Sequence, residues 1–234
     1  MTLLRRAREL ALDALFPPKC VGCGAFGEFI CPVCLEGAPY ASGERCPRCW
    51  LAEDRRSGRE PACRDCARHE PAFAGLRSAM AYREVSRKAV LSLKFEGVSA
   101  LAPRMGALMA EAFAAWSPPV DAIVPVPLGW LRRRTRGYNQ AELLAAEVSR
   151  RTGLPLEPGA VRRARRTAPQ ARQPDEASRR ENIRSAFAAR RPASGSILLI
   201  DDVATTGATL DACARALLEA GASRVFCLTF ARED

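Results

Sequence analysis

A parallel α/β sheet flanked by helices, preceded by a small cysteine-rich module, is the fold class predicted by this 234-residue sequence. Three observations carry it. From Phe73 onward strand-like and helix-like patterns alternate, as expected of βα units whose strands run parallel. One unit, residues 197–209, opens with four apolar residues (Ile197 to Ile200) that read as a strand buried on both faces. Two acids at its carboxyl end, Asp201 and Asp202, lead into a small-residue loop and a helical pattern. Ahead of the alternating region, eight of the ten cysteines fall into four C-x2-C pairs.

Residues 1–16 place Leu3, Leu4, Leu10, Leu12 and Leu15 in an apolar pattern broken by Arg5, Arg6, Arg8, Glu9 and Asp13. This predicts an amphipathic helix, because a signal peptide needs a continuous apolar stretch. No run approaches the roughly eighteen apolar residues of a membrane span, so a soluble cytoplasmic protein is expected.

Residues 17–71 are rich in Gly, Pro and charge and short of the apolar residues that build a core. A C-x2-C turn brings two thiolates to one tetrahedral zinc, and two such knuckles close a four-thiolate site. Four knuckles therefore make two structural sites. Sequential pairing groups Cys20, Cys23, Cys31 and Cys34, then Cys46, Cys49, Cys63 and Cys66; a cross-brace joining the first pair to the third is the alternative. Structural zinc contributes roughly 10–16 kcal/mol of apparent binding energy, enough to order such a segment. Disulfides fit poorly without an export signal, and a redox dithiol would be one pair beside a strand–helix unit. His69, the only histidine, is expected as an exposed linker residue. Cys213 and Cys227, outside the pairs, are expected as small buried apolar groups.

Residues 72–234 form the larger domain, with strands expected at 76–82, 121–126, 197–201 and 225–230 and helices at 85–95, 100–116, 139–152 and 210–220. Ligands of such sheets sit at the carboxyl ends of the strands. In the loop Ala204, Thr205, Thr206, Gly207, Ala208 and Thr209, backbone amides would face an anion at the helix N-terminus, with Thr hydroxyls as further donors. Asp201 and Asp202 suit neutral hydroxyls or a magnesium ion, since they repel phosphate. A phosphorylated sugar meets both demands. An ordinary N-cap by Thr206 or Thr209 would leave the acidic pair unexplained.

This segment resembles the PRPP-binding motif of type I phosphoribosyltransferases: four hydrophobic residues, two acids, then Thr-Thr-Gly-x-Thr. The resemblance implies a type I phosphoribosyltransferase-like sheet. It further implies that Asp201 and Asp202 take the ribose hydroxyls, that residues 204–209 take the 5′-phosphate, and that magnesium accompanies PRPP. After the Val124 to Pro127 segment, the run Arg132, Arg133, Arg134, Arg136, Gly137, Tyr138, Asn139 and Gln140 occupies the place of the family's pyrophosphate loop. Arg136 is its candidate ligand, because a planar guanidinium grips two phosphate oxygens at once. Asn139 could equally be a plain N-cap. Residues 162–187, with Thr167, Gln170, Arg179, Arg180, Asn182 and Phe187, fit a mobile cover or a connector.

Over almost its whole length the sequence is similar to the ComF/GntX family. The residues concerned are the cysteine pairs, Leu93-Lys94-Phe95-x-Gly97, the Val-Pro-Val-Pro segment with residues 136–140, Gln170 with Arg180 and Asn182, and the Asp201–Asp202 motif. The resemblance implies a phosphoribosyltransferase-like domain behind an N-terminal double zinc ribbon. It also implies a link, in some bacteria, to handling single-stranded DNA taken up in natural transformation; other members carry names tied to gluconate use.

Net charge is +10, and residues 132–191 hold sixteen arginines against six acids, so one segment supplies the whole excess. Such a patch steers nucleic acid or holds the phosphates of a small ligand. Aromatic residues are sparse there, so little base stacking is expected. The expected partners are PRPP or a related phosphoribosyl ligand, single-stranded DNA and other DNA-uptake proteins. The alternative is an active phosphoribosyltransferase using Mg-PRPP with an unidentified acceptor, Asp201 and Asp202 then being the candidate catalytic residues. A third reading is a zinc-ribbon interaction protein that has lost ligand binding; the intact acidic pair argues against it.

Overall fold

The computed structural model describes residues 17–41, 43–52, 63–164 and 186–234. The expected N-terminal helix over residues 1–16 lies outside them, as do Thr167, Gln170, Arg179, Arg180 and Asn182. In chain order the described elements are α1 (Pro32–Glu36), α2 (Arg64–Arg68), β1 (Gly75–Ala81), α3 (Glu84–Phe95), α4 (Ala102–Trp116), β2 (Ala122–Pro125) and α5 (Trp130–Arg136). There follow α6 (Gln140–Thr152), β3 (Val161–Arg163), β4 (Phe187–Ala189), β5 (Ser196–Ala204), α7 (Ala208–Glu219) and β6 (Arg224–Arg232). Among the described residues no helix is long and apolar enough to cross a membrane.

Four strands build one sheet in the order β1-β6-β5-β2, and each neighbouring pair runs parallel. The sheet is covered on both faces, which is why its strands read as apolar runs rather than alternating ones. Leu198, Ile200, Phe226, Leu228 and Phe230 join the core under α3, α4 and α6, whereas Ile197, Leu199, Val225 and Cys227 join the core under α7. Helix α6 follows β2 on the first face and α7 follows β5 on the second. The chain thus leaves the adjacent strands β2 and β5 in opposite directions, which opens a crevice between their carboxyl ends. Cys213 and Cys227 are buried, as expected.

Helices α4 and α6 cross closely at Gly106, where a Cβ would lie 2.4 Å from Glu147 Cβ. Gly106→Leu is therefore expected to lower stability by about 1–3 kcal/mol, read as a fall in the thermal unfolding midpoint.

Three sequence expectations need correction. The arginine run read as a loop is the helix α5, built from good helix formers between Gly129 and Gly137, which ends it at φ 79°. The strand read as ending at Asp201 runs on through Ala204, because β6 continues to pair with it up to Ala204 and Arg232. The segment read as starting at Arg162 and ending at Phe187 is shorter at both ends, since β3 and β4 pair antiparallel there; residues 165–185, where a cover or connector is expected, lie outside the described residues.

The cysteine module is a structural repeat. Cys20 N donates to Ala25 O and Gly24 N to Cys20 O, both at 2.8 Å; Cys46 N donates to Leu51 O at 2.9 Å and Trp50 N to Cys46 O at 3.0 Å. Each four-thiol set then begins a short helix, with Cys31 N and Cys63 N donating to Cys20 Sγ and Cys46 Sγ at 3.4 Å. Gly24 and Trp50 occupy the same left-handed turn position, at φ 79° and 61°. A tryptophan costs about 1–2 kcal/mol there, and stacking of Arg77 at 4.0 Å from its ring offsets this. The repeat is invisible in the sequence beyond the cysteine pairs.

The module also closes the sheet's β1 edge. Ala81 N donates to Pro39 O at 2.7 Å and Leu76 N to Arg48 O at 2.8 Å, so edge groups that would otherwise invite strand pairing are satisfied. Ile30 and Leu35 are buried in the larger domain's core. The shortage of apolar residues in 17–71 is real; Ile30 and Leu35, with Val21 and Phe29 beside them, pack onto the neighbouring domain, while Phe26 and Val33 stay exposed.

Candidate functional site

The two cysteine clusters group sequentially, Cys20, Cys23, Cys31 and Cys34 in one and Cys46, Cys49, Cys63 and Cys66 in the other, with the sulfurs of each set within 4.8 Å of one another. The cross-brace pairing is thereby excluded. A tetrahedral zinc with 2.3 Å bonds needs sulfurs about 3.8 Å apart; Cys23–Cys31 at 3.6 Å, Cys46–Cys66 at 3.9 Å and Cys49–Cys63 at 3.5 Å match. Burial opposes ionisation of Cys20 and Cys46, yet backbone amides bring them down to about 6 and about 7. Burial and neighbouring thiols push Cys34 and Cys49 up to about 12. Cys20 and Cys46 thus ionise readily, whereas Cys34 and Cys49 need a cation beside them, which suits two structural zinc ions in closed sites. His69, at the end of α2, is exposed.

The second site lies at the carboxyl end of β5. Because successive strand residues face opposite sides, Asp202 turns toward α3 and Asp201 toward α7. Asp202 is buried and meets Lys94 Nζ at 2.8 Å. Asp201 is partly buried and accepts from Asp202 N at 2.9 Å. Desolvation, then the Asp202 charge, push its pKa up to about 7, with Lys94 pulling the other way.

Beyond the acids, Ala204 is buried, while Thr205, Thr206 and Thr209 are exposed. Gly207 starts α7 at φ 77° without a side-chain cap, and Ala208 N reaches Thr206 Oγ1 only at 3.4 Å. The N-cap explanation of the threonines therefore fails: the first turn is weakly capped and its loop hydroxyls face outward. From below, the buried Arg232 guanidinium fixes the loop, donating to Ala204 O at 3.1 Å, to Thr205 O, and to Cys49 O at 3.2 Å. One side chain thus joins the phosphate-type loop to a zinc knuckle.

Residues 136–140 divide by role. Asn139 caps α6 through Ala141 N at 3.1 Å and ties it to β2 through Val126 O at 3.0 Å. Tyr138 Oη donates to Leu93 O at 2.6 Å, holding the α3 end beside α5. Arg136 remains half-buried, its guanidinium 4.8 Å from the Phe95 ring and 3.2 Å from Gln140 Oε1. The contacts of Phe95 with Arg136 and of Lys94 with Asp202 bring the arginine helix to the acidic pair.

Sequence reasoning gave no role to Lys94 or Arg232. The signal for Lys94 was present, since it is one of three lysines and lies in the Leu93-Lys94-Phe95-x-Gly97 run. Arg232 had none.

Set against known proteins, residues 11–67 match the double zinc ribbon domain family and residues 138–234 the phosphoribosyl transferase domain family. The DNA utilization protein YhgH of Salmonella typhi is 32% identical over 208 residues, covering 85% of this chain and 89% of that protein. The chain belongs to the ComF/GntX family. Two further relatives carry competence names. Competence protein ComFC of Bacillus subtilis is 30% identical over 203 residues, covering 83% of this chain and 80% of that protein. Competence protein F of Haemophilus influenzae is 36% identical over 109 residues, covering 45% of this chain and 47% of that protein. This ComF/GntX member has a phosphoribosyltransferase fold and a zinc-ribbon module.

Proposed function

We propose that this protein binds PRPP, or a closely related phosphoribosyl ligand, in the crevice at the carboxyl end of β5, and handles single-stranded DNA in the cytoplasm during DNA uptake. The observation that carries the ligand is the acidic pair running into a weakly capped, threonine-lined helix start. Asp201 and Asp202 accept the ribose hydroxyls, and the amides and hydroxyls of residues 204–209 take the 5′-phosphate. Arg136 grips the pyrophosphate. Lys94 neutralises Asp202, which suits it to a neutral hydroxyl rather than to metal. Magnesium would then ride chiefly on the diphosphate of the ligand, with Asp201 the free acid beside it. The excess arginine of residues 132–191 supports the DNA half of the reading, together with the printed names of the relatives.

Calorimetry with Mg-PRPP tests the ligand. Wild type is expected to bind, and Asp201→Ala/Asp202→Ala to lose at least about a hundredfold in affinity, two charge-assisted contacts being removed. Equal binding by both proteins, or none by wild type, sinks the proposal. For the DNA, binding is expected to weaken steeply with salt; a flat response removes that half.

A further inference from the structure

Of the exposed large hydrophobic side chains, three flank α5: Phe95 at the end of α3, 68% exposed, and Trp130 and Leu131 at the start of α5, 62% and 60% exposed. Both rings carry an arginine on one face. The Arg134 guanidinium lies 4.9 Å from the Trp130 ring and that of Arg136 4.8 Å from the Phe95 ring. Trp130 opens α5 and Arg136, which meets Phe95, closes it, so the two ring–arginine pairs mark the two ends of a helix about 10 Å long. Arg132, Arg133 and Arg134 of α5 and Arg162 and Arg163 of β3 are exposed around them. Among the described residues, Arg133 alone of the α5 group has an acidic partner, Glu142 at 3.2 Å. Arg163 packs under the start of α5, where a Cβ on Gly129 would be 3.7 Å from its Cδ.

We infer that Phe95 and Trp130, at opposite ends of α5, form a discontinuous stacking platform for the bases of single-stranded nucleic acid, with the arginines of α5 and β3 taking its phosphates. The inference rests on the DNA half of the proposed function and assigns it a surface. A guanidinium on one face of a ring leaves the other face open, and any base can stack there because every base has a π-face. The charge around the rings is complementary to a phosphate backbone and unsuited to an apolar protein partner. Duplex DNA keeps its bases stacked on one another and offers none to the platform. Sequence composition hid this surface: aromatic residues are few in the basic span, but folding places Phe95, from outside that span, against Arg136.

The test is binding of oligothymidylate to the full chain, followed by anisotropy of a labelled strand and by tryptophan emission. Trp50 and Trp116 are half-buried against Arg77, so the part of the quenching that disappears in Trp130→Leu reports Trp130. Wild type is expected to bind with quenching. Trp130→Leu and Phe95→Leu should each weaken single-strand binding by about 5- to 20-fold, with an unchanged salt slope and unchanged affinity for duplex. Arg132→Gln/Arg134→Gln should instead lower the salt slope by about 2. Both leucine variants change exposed rings, so their unfolding midpoints should match wild type. Wild-type binding that neither ring change affects, or an equal loss on duplex, overturns the platform while single-strand binding stands. Absence of oligothymidylate binding by wild type overturns the platform and the DNA half of the function together.

Discussion

Loss of metal from the second cysteine cluster will disorder the phosphate-type loop as well as the N-terminal module. The loop amides are aimed by Arg232, whose guanidinium holds Ala204 and Thr205 on one side and Cys49 O on the other. Cys49 is itself a member of the second cluster, and Arg45, one residue before that cluster, holds Asp234 at 2.8 Å. Unbinding zinc removes the roughly 10–16 kcal/mol that orders the knuckle around it, and the few apolar residues there do not replace it. The first cluster is joined differently, through Ile30 and Leu35 to the core under α3 and α4. Cys46→Ser is therefore expected to raise amide hydrogen exchange over residues 203–209 at least about tenfold, at the level of a lost buried charge-assisted anchor. Cys23→Ser, at an exposed ligand of the first cluster, should leave the loop close to wild type. Protection of the loop in Cys46→Ser would show that Arg232 anchors it without the knuckle.

The sequence made the sheet and the strand end that carries the candidate site legible because two independent signals coincide there. Buried parallel strands demand uninterrupted apolar runs, and an acidic pair followed by small residues has no reason to stand at the end of such a run unless the site uses it. Cysteine spacing likewise announced two four-thiol sites, and their sequential grouping follows from two copies of one turn. What escaped are long-range contacts. Arg232 meets Cys49, Ala204 and Thr205 only after β6 has paired with β5 and the module has closed the β1 edge. Arg136 and Phe95 are likewise joined by packing, with Tyr138 as the tie. Helix α5 was missed for a local reason: a run of arginines reads as solvated loop, although arginine is a good helix former.

Ligand affinity will rise with pH through neutrality, and Asp201 will set the profile. Its pKa is raised to about 7 by desolvation and by the Asp202 charge, against an ordinary value near 4. About a tenth of the molecules then carry an ionised Asp201 at pH 6 and about nine-tenths at pH 8, so affinity for Mg-PRPP should improve roughly tenfold across that interval if the carboxylate is the acceptor. The stability effect has the opposite sign. A carboxyl whose folded pKa exceeds its unfolded one contributes fully below about pH 4, and the contribution is lost as pH rises through 7. The protein thus becomes slightly less stable as it becomes competent to bind. Since phosphate groups of the ligand also titrate near 6, Asp201→Asn is the control: it should bind more weakly and flatten the part of the profile centred on 7. Lys94 lowers the Asp201 pKa, so Lys94→Met should move the midpoint upward. Calorimetric titrations of the three proteins between pH 6 and 8 decide the matter, and an identical slope in Asp201→Asn would remove Asp201 as its source.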